Sequence, residues 1–106
     1  MDITIKNLCP HEVNVKDANG KIWCIKPEPV PARVDTDFKP VIYIGTIGVF
    51  NRQFIATTNL PPATEGVMYI VSRQVATYNT NRKDLLIPSK TFTENDITYC
   101  CGLEVL

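Results

Sequence analysis

The chain has a single histidine, His11, and no Cys-x-x-Cys pair among its four cysteines, Cys9, Cys24, Cys100 and Cys101. Structural zinc is usually held by paired thiolates and imidazoles at short spacing. Cys100 and Cys101 are adjacent, and on a strand adjacent side chains point to opposite faces, which is a poor arrangement for one ion. Cys9, His11 and Cys24 could meet a metal only if two strands folded back on each other. The expectation is therefore no metal and no other cofactor, with cysteine acting as a small buried hydrophobe. Charge of one sign is missing too. Eleven Lys and Arg balance eleven Asp and Glu. The longest basic cluster, "NRK" at Asn81 to Lys83, is followed by Asp84. Nucleic acid and anionic membranes are read through basic stripes, so neither is an expected partner. No apolar run approaches the roughly 20 residues of a spanning helix. The opening "MDITIKNL" lacks the basic-then-apolar pattern of a secretory leader. These absences predict a cytoplasmic chain with reduced thiols. There are no repeats and no linker, so residues 1–106 are expected to form a single domain.

What is present is proline, glycine and β-branched residues, a mixture that favours strands. "EVNVK" and "KIWCIK" flank "DANG" and predict a hairpin. Pairing Lys16 with Lys21 sets Val15 opposite Ile22 and Val13 opposite Cys24 on one apolar face. Three prolines in "PEPVP" forbid a helix and predict an extended crossing. "ARVD" then reads as a short edge strand. "VIYIGTIGVF", Val41 to Phe50, reads as one long buried strand bent at Gly45 and Gly48. "TTNLPPATEG" reads as loop, and "GVMYIVS" as a central strand covered on both faces. Ser72 is placed to cap a short helix over "RQVATY", near residues 72–79. "DLLIP" reads as a strand cut off by Pro88, "KTFTENDITYC" as a hairpin turning at "END", and "GLEVL" as a last strand. The predicted fold is mostly β (α+β): a compact antiparallel, barrel-like sheet with one short helix.

Chemical motifs are sparse. Cys9 and His11 in "NLCPHEVNV" suggest a thiol nucleophile and base, but only Glu12 and Asn14 are near enough in sequence to orient the imidazole. A structural turn explains the stretch better, with Pro10 ending a strand and Asn7 and His11 satisfying loop backbone groups. Asp35 and Asp37 share a strand face and could split their pKa values. They read more simply as a solvated edge that discourages aggregation. The "GTIG" glycines match neither a P-loop nor a dinucleotide fingerprint. The remaining candidates are cationic and aromatic. Arg73, Tyr78 and Arg82, with His11, could line a binding surface around the helix, suited to a protein or to a small anion at Ser72.

"NLCPHEVNV", "PARV", "GVMYIVSRQVA", "RKDLLIPS" and the terminal "CCGL" occur in that order. Together they resemble a group of small bacterial and bacteriophage proteins of about this length that open with N-L-x-P-H. The resemblance spreads over most of the chain and implies a context, not a chemistry, because no activity is assigned to the group. Where the group's pattern has threonine, this chain has Cys9, so neither a thiolate nor a metal ligand is implied there. The expected function is non-enzymatic: a phage- or prophage-type accessory protein that binds another protein, as an inhibitor of a host or defence protein or as a minor assembly component. The alternative is a small-ligand or nucleotide-binding module. Self-association is also expected to be possible through an unpaired strand edge, at Arg33 to Asp37 or in "GLEVL".

Overall fold

β-Branched and alternating segments form eight strands and one five-residue helix in the computed structural model, which describes residues 2–106. In chain order these are β1 (Thr4–Asn7), β2 (Val13–Lys16), β3 (Ile22–Ile25), β4 (Arg33–Ile44), β5 (Ile47–Thr58), β6 (Val67–Ile70), α1 (Arg73–Thr77), β7 (Leu85–Glu94) and β8 (Ile97–Glu104). Six strands make one sheet in the order β1-β6-β7-β8-β2-β3, and β4 and β5 pair only with each other. Antiparallel pairing holds at the three hairpins, β2/β3, β4/β5 and β7/β8, while β1/β6, β6/β7 and β2/β8 join them in parallel. A bridge from Asn7 to Pro27, just past β3, brings the two ends of the six-stranded sheet together. The expected mostly β, barrel-like fold with one short helix is observed, but three of the six strand pairings are parallel where an antiparallel sheet is expected.

β6 lies between β1 and β7, and both of its faces are covered as its continuous apolar run predicts. Alternation sends Tyr69 and Val71 into one cluster, with Leu8, Val75, Leu85 and Ile87. Ile70 goes to the opposite side, with Cys9, Val13, Leu86 and Cys100. Ser72 caps α1 by accepting a hydrogen bond from the Val75 N–H, and Val75 and Ala76 are buried beneath the helix. The β7–β8 hairpin turns at Asn95-Asp96, both at positive φ (52° and 64°), as a type I′ turn requires.

Three local expectations change. In the first hairpin Lys16 pairs with Ile22, not Lys21, so Val15 faces Trp23 and Val13 faces Ile25. The loop is the cause. Asp17 pairs with Lys21, and its Oδ1 accepts from the N–H groups of Asn19 and Lys21. Only Gly20 takes positive φ (81°), giving a three-residue loop that shifts β3 by one residue and turns Ile22 and Cys24 outward. Second, "DLLIP" and "GLEVL" are not separate strands. β7 runs through Pro88, opposite Leu103, because β6 pairing stops at Leu86 and leaves that side of β7 unpaired. Third, Val41 to Phe50 is not one buried strand. It is the end of a hairpin that leaves the barrel.

Asn7 closes the barrel. Its side chain is buried, and its Nδ2 donates to the carbonyls of His11 (2.8 Å) and Ile25 (3.0 Å) while its Oδ1 accepts from the Cys9 N–H (2.9 Å). "NLCPH" is therefore a structural turn, tied at once to β1 and to the end of β3. Replacing Asn7 with Ala removes three hydrogen bonds from a buried side chain and is expected to lower unfolding stability by about 2–4 kcal/mol in chemical denaturation. A loss below about 1 kcal/mol would mean that the carboxamide does not hold the closure.

Candidate functional site

The β4–β5 arm dominates the surface. Ile44 pairs with Ile47 across a two-residue turn in which Gly45 sits at φ 64°, the position a type II′ turn reserves for glycine. No backbone hydrogen bond joins Arg33–Thr58 to another element among the described residues. The molecule measures 55 × 36 × 24 Å, and its radius of gyration is 16.8 Å. A compact chain of 106 residues has about 13 Å. The solvent-accessible surface is 7413 Å², against about 6,000 Å² for a compact monomer of this mass.

Cross-strand pairing sorts the arm's residues by face. Thr36/Phe54, Phe38/Arg52 and Pro40/Phe50 share one face. Asp35, Asp37/Gln53 and Lys39/Asn51 share the other, so near the barrel this face is polar. An extra residue at Val41 then changes the register, and the far third, Ile42/Val49 and Ile44/Ile47, is apolar. The aromatic face is continuous with the body. Phe54 stacks on Tyr78 at 4.7 Å, Arg52 lies over the Phe38 ring at 5.1 Å, and the rings of Phe50 and Tyr43 close over Gly48. Any side chain at Gly48 would strike Phe50, since a Cβ there falls 2.8 Å from its ring. Phe38, Tyr43, Phe50 and Phe54 are nevertheless 43–63% exposed, and Ile44 and Ile47 at the tip are 64% and 66% exposed. The sequence held a signal for this: "VIYIGTIGVF" sets Gly45 between two apolar arms with no charge from Val41 to Phe50.

The four residues singled out from sequence fall in different places. Tyr78 follows α1 and supports the arm through Phe54. Arg82 is engaged by protein groups: Nε and one terminal nitrogen donate to the two Asp84 carboxylate oxygens at 2.9 and 2.7 Å, and that nitrogen also donates to the Pro61 carbonyl. Asn79 adds a bond from its Nδ2 to Thr57 Oγ1. The loop after α1 thus grips the base and exit of β5. Arg73 is exposed, 3.7 Å from Glu104. His11 is exposed in the opening turn, its Nδ1 beside the Glu12 carbonyl. Arg82 and His11 border two separate depressions. No hydrogen bond, ion pair or ring contact joins any two of the four among the described residues.

A larger groove of about 540 Å³ runs under the base of the arm, between Lys6, Leu8 and Tyr69 on one side and Val30, Leu60 and Pro61 on the other. Asp35 lies 3.5 Å from Arg33 within β4, and Asp37 accepts from the Phe38 N–H, so each carboxylate has a local partner. The cysteines divide by burial. Cys9 and Cys100 are buried, and desolvation raises the pKa of both. Cys24 is exposed, and its thiol donates to Glu12 Oε2, which also raises its pKa. Glu12 in turn pairs with Lys26, and its pKa is lowered. No group of three His, Cys, Asp or Glu side chains is arranged to share an ion among the described residues. No described helix is long and apolar enough to cross a membrane.

Comparison with protein-family models, curated proteins and solved structures returned no match to this chain.

Two measurements check this geometry. Pulsed alkylation at neutral pH is expected to modify Cys101 first and Cys24 more slowly, with Cys9 and Cys100 reacting only on unfolding. Fast labelling of Cys9 would restore it as a candidate nucleophile. The Arg82 guanidinium beside Asp84 holds that carboxyl below its ordinary range. Its folded pKa is depressed, so the stabilisation is present above the unfolded value and is lost as pH falls through the folded one. Asp84→Asn should therefore lower stability at neutral pH and flatten the acid limb of the denaturation profile. An unchanged acid limb would show that the pair does not contribute.

Proposed function

We propose that this chain is a non-enzymatic accessory protein of the phage or prophage type that acts by binding protein through the β4–β5 arm. The observation that carries the reading is the arm itself, a ribbon of two 12-residue strands with no third strand beside it among the described residues. Half of the eighteen exposed large hydrophobic side chains among the described residues lie on it, although it makes up about a quarter of the chain. An isolated two-stranded ribbon is marginal in water, and an exposed apolar patch of this size marks an interaction surface. Aromatic side chains with an arginine among them are also the residue types that dominate binding hot spots. The N-L-x-P-H resemblance supplies the phage or bacterial context. The alternative, a small-anion module, is less well supported, because Arg82 already forms an ion pair with Asp84 and donates to the Pro61 carbonyl.

Affinity capture from a bacterial lysate, with untagged chain added, tests the reading. The intact protein is expected to retain one protein, either a host protein or the untagged copy, near equal molar amount. The double variant Ile47→Lys/Phe50→Lys should lower that recovery at least tenfold. Recovery that ignores the arm, or no retained protein, would overturn the reading.

A further inference from the structure

The two outer edges of the arm are not equivalent. The β4 edge carries four charges, Arg33, Asp35, Asp37 and Lys39, then Pro40, and a bulge at Val41. Charge, proline and bulges are the devices that stop a strand edge from pairing with another chain. β5 has one charge, Arg52, and no proline. Its only bulge is at Ile55, so Ile47–Phe54 is an unbroken run with an open row of backbone groups. One edge is protected and its neighbour is not.

We infer that the occupant of the β5 edge is a second copy of this chain, paired antiparallel along Ile47–Phe54 about a two-fold axis. The inference rests on the arm being the binding surface and names its partner. Two observations favour a copy over a different protein, and a third shows that the surface a dimer needs is there. The chain has zero formal net charge, so copies do not repel. The open edge is nearly uncharged and supplies no electrostatic preference for an acidic or basic partner. The surface in excess of a compact monomer, roughly 1,400 Å² per chain, exceeds the ≈ 800 Å² that each partner buries in a standard interface. Pairing is isologous: β5 meets β5, the ribbon becomes four strands with both β4 edges outermost, and the assembly closes at two. The aromatic stripes, ending at Phe50 and Tyr43, then lie side by side. The protected β4 edges explain why growth stops there.

Sedimentation equilibrium of the purified full chain across a micromolar range tests this. The expected mass is twice 11.9 kDa. Hydrogen exchange should show protection of amides within Ile47–Phe54 that rises with concentration. Ile47→Lys/Phe50→Lys, which sets four like charges along the paired edges, should weaken association at least tenfold while the barrel's melting is retained. Ile97→Lys, at an exposed apolar position at the start of β8, should leave the dimer intact. A monomer throughout, a dimer indifferent to the β5 lysines, or open-ended growth would each overturn the inference. A monomer that still captures one host protein through the intact arm would sink this inference and leave the binding function standing. A monomer that captures nothing would sink both.

Discussion

One buried carboxamide fixes where the chain can close. Asn7 meets three backbone groups from three places: the turn at Cys9, the carbonyl of His11 and the end of β3 at Ile25. Those groups belong to segments that cannot pair with each other in a regular ladder, since Pro10 and Pro27 each lack an N–H. Without Asn7 all three would lose the bond that ties them together. With it, the parallel β1/β6 edge and the β2/β3 hairpin are held side by side, and Asn7 bridges Pro27. Cys9 and Val13, flanking the turn, then pack against Ile70 and Cys100. The polar lock and the apolar cluster depend on the same few residues.

Closure of the barrel leaves the arm as the one element that closure does not serve. Its strands enter and leave next to each other, so its length adds nothing to the barrel's core. Among the described residues of the arm, Val34, near the base, is the hydrophobic side chain that packs against a buried cluster. A ribbon of this length holds its shape through cross-strand contacts and through its root. The root is well made. Tyr78 stacks on Phe54, Asn79 binds Thr57, and Arg82 holds the Pro61 carbonyl where the chain leaves β5. The cationic and aromatic cluster after α1, which looks from sequence like a surface for a ligand, also serves as the arm's mounting.

What was legible in the sequence followed from strong local rules. The run "GVMYIVS" names a strand covered on two sides, Ser72 names a helix cap, and "END" names a turn. Each depends on residues within one segment. The shifted β2/β3 register was hidden because both registers place apolar side chains together. The choice fell to Asp17, whose carboxylate binds two loop amides and the Trp23 indole N–H. The arm was hidden for a related reason. An uncharged stretch looks the same whether a barrel or a second molecule covers it, so composition alone assigned Val41 to Phe50 to a core. The candidate site was legible only in part. Tyr78 and Arg82 were visible as candidates, but not that both engage the arm and its exit.

The unequal edges of the arm bear on why an apolar ribbon persists at all. A strand that only needed to be soluble would gain from charges on both edges, and β4 has them while β5 does not. Gly48 makes the same point. Its missing side chain leaves room for the Phe50 and Tyr43 rings to pack over the backbone in an exposed position. Rings packed before binding lose less entropy when a partner covers them. A surface that is apolar, packed against its own backbone and supported at its root has the physical properties of a binding element. Accidental exposure in a loosely packed loop would show none of the three.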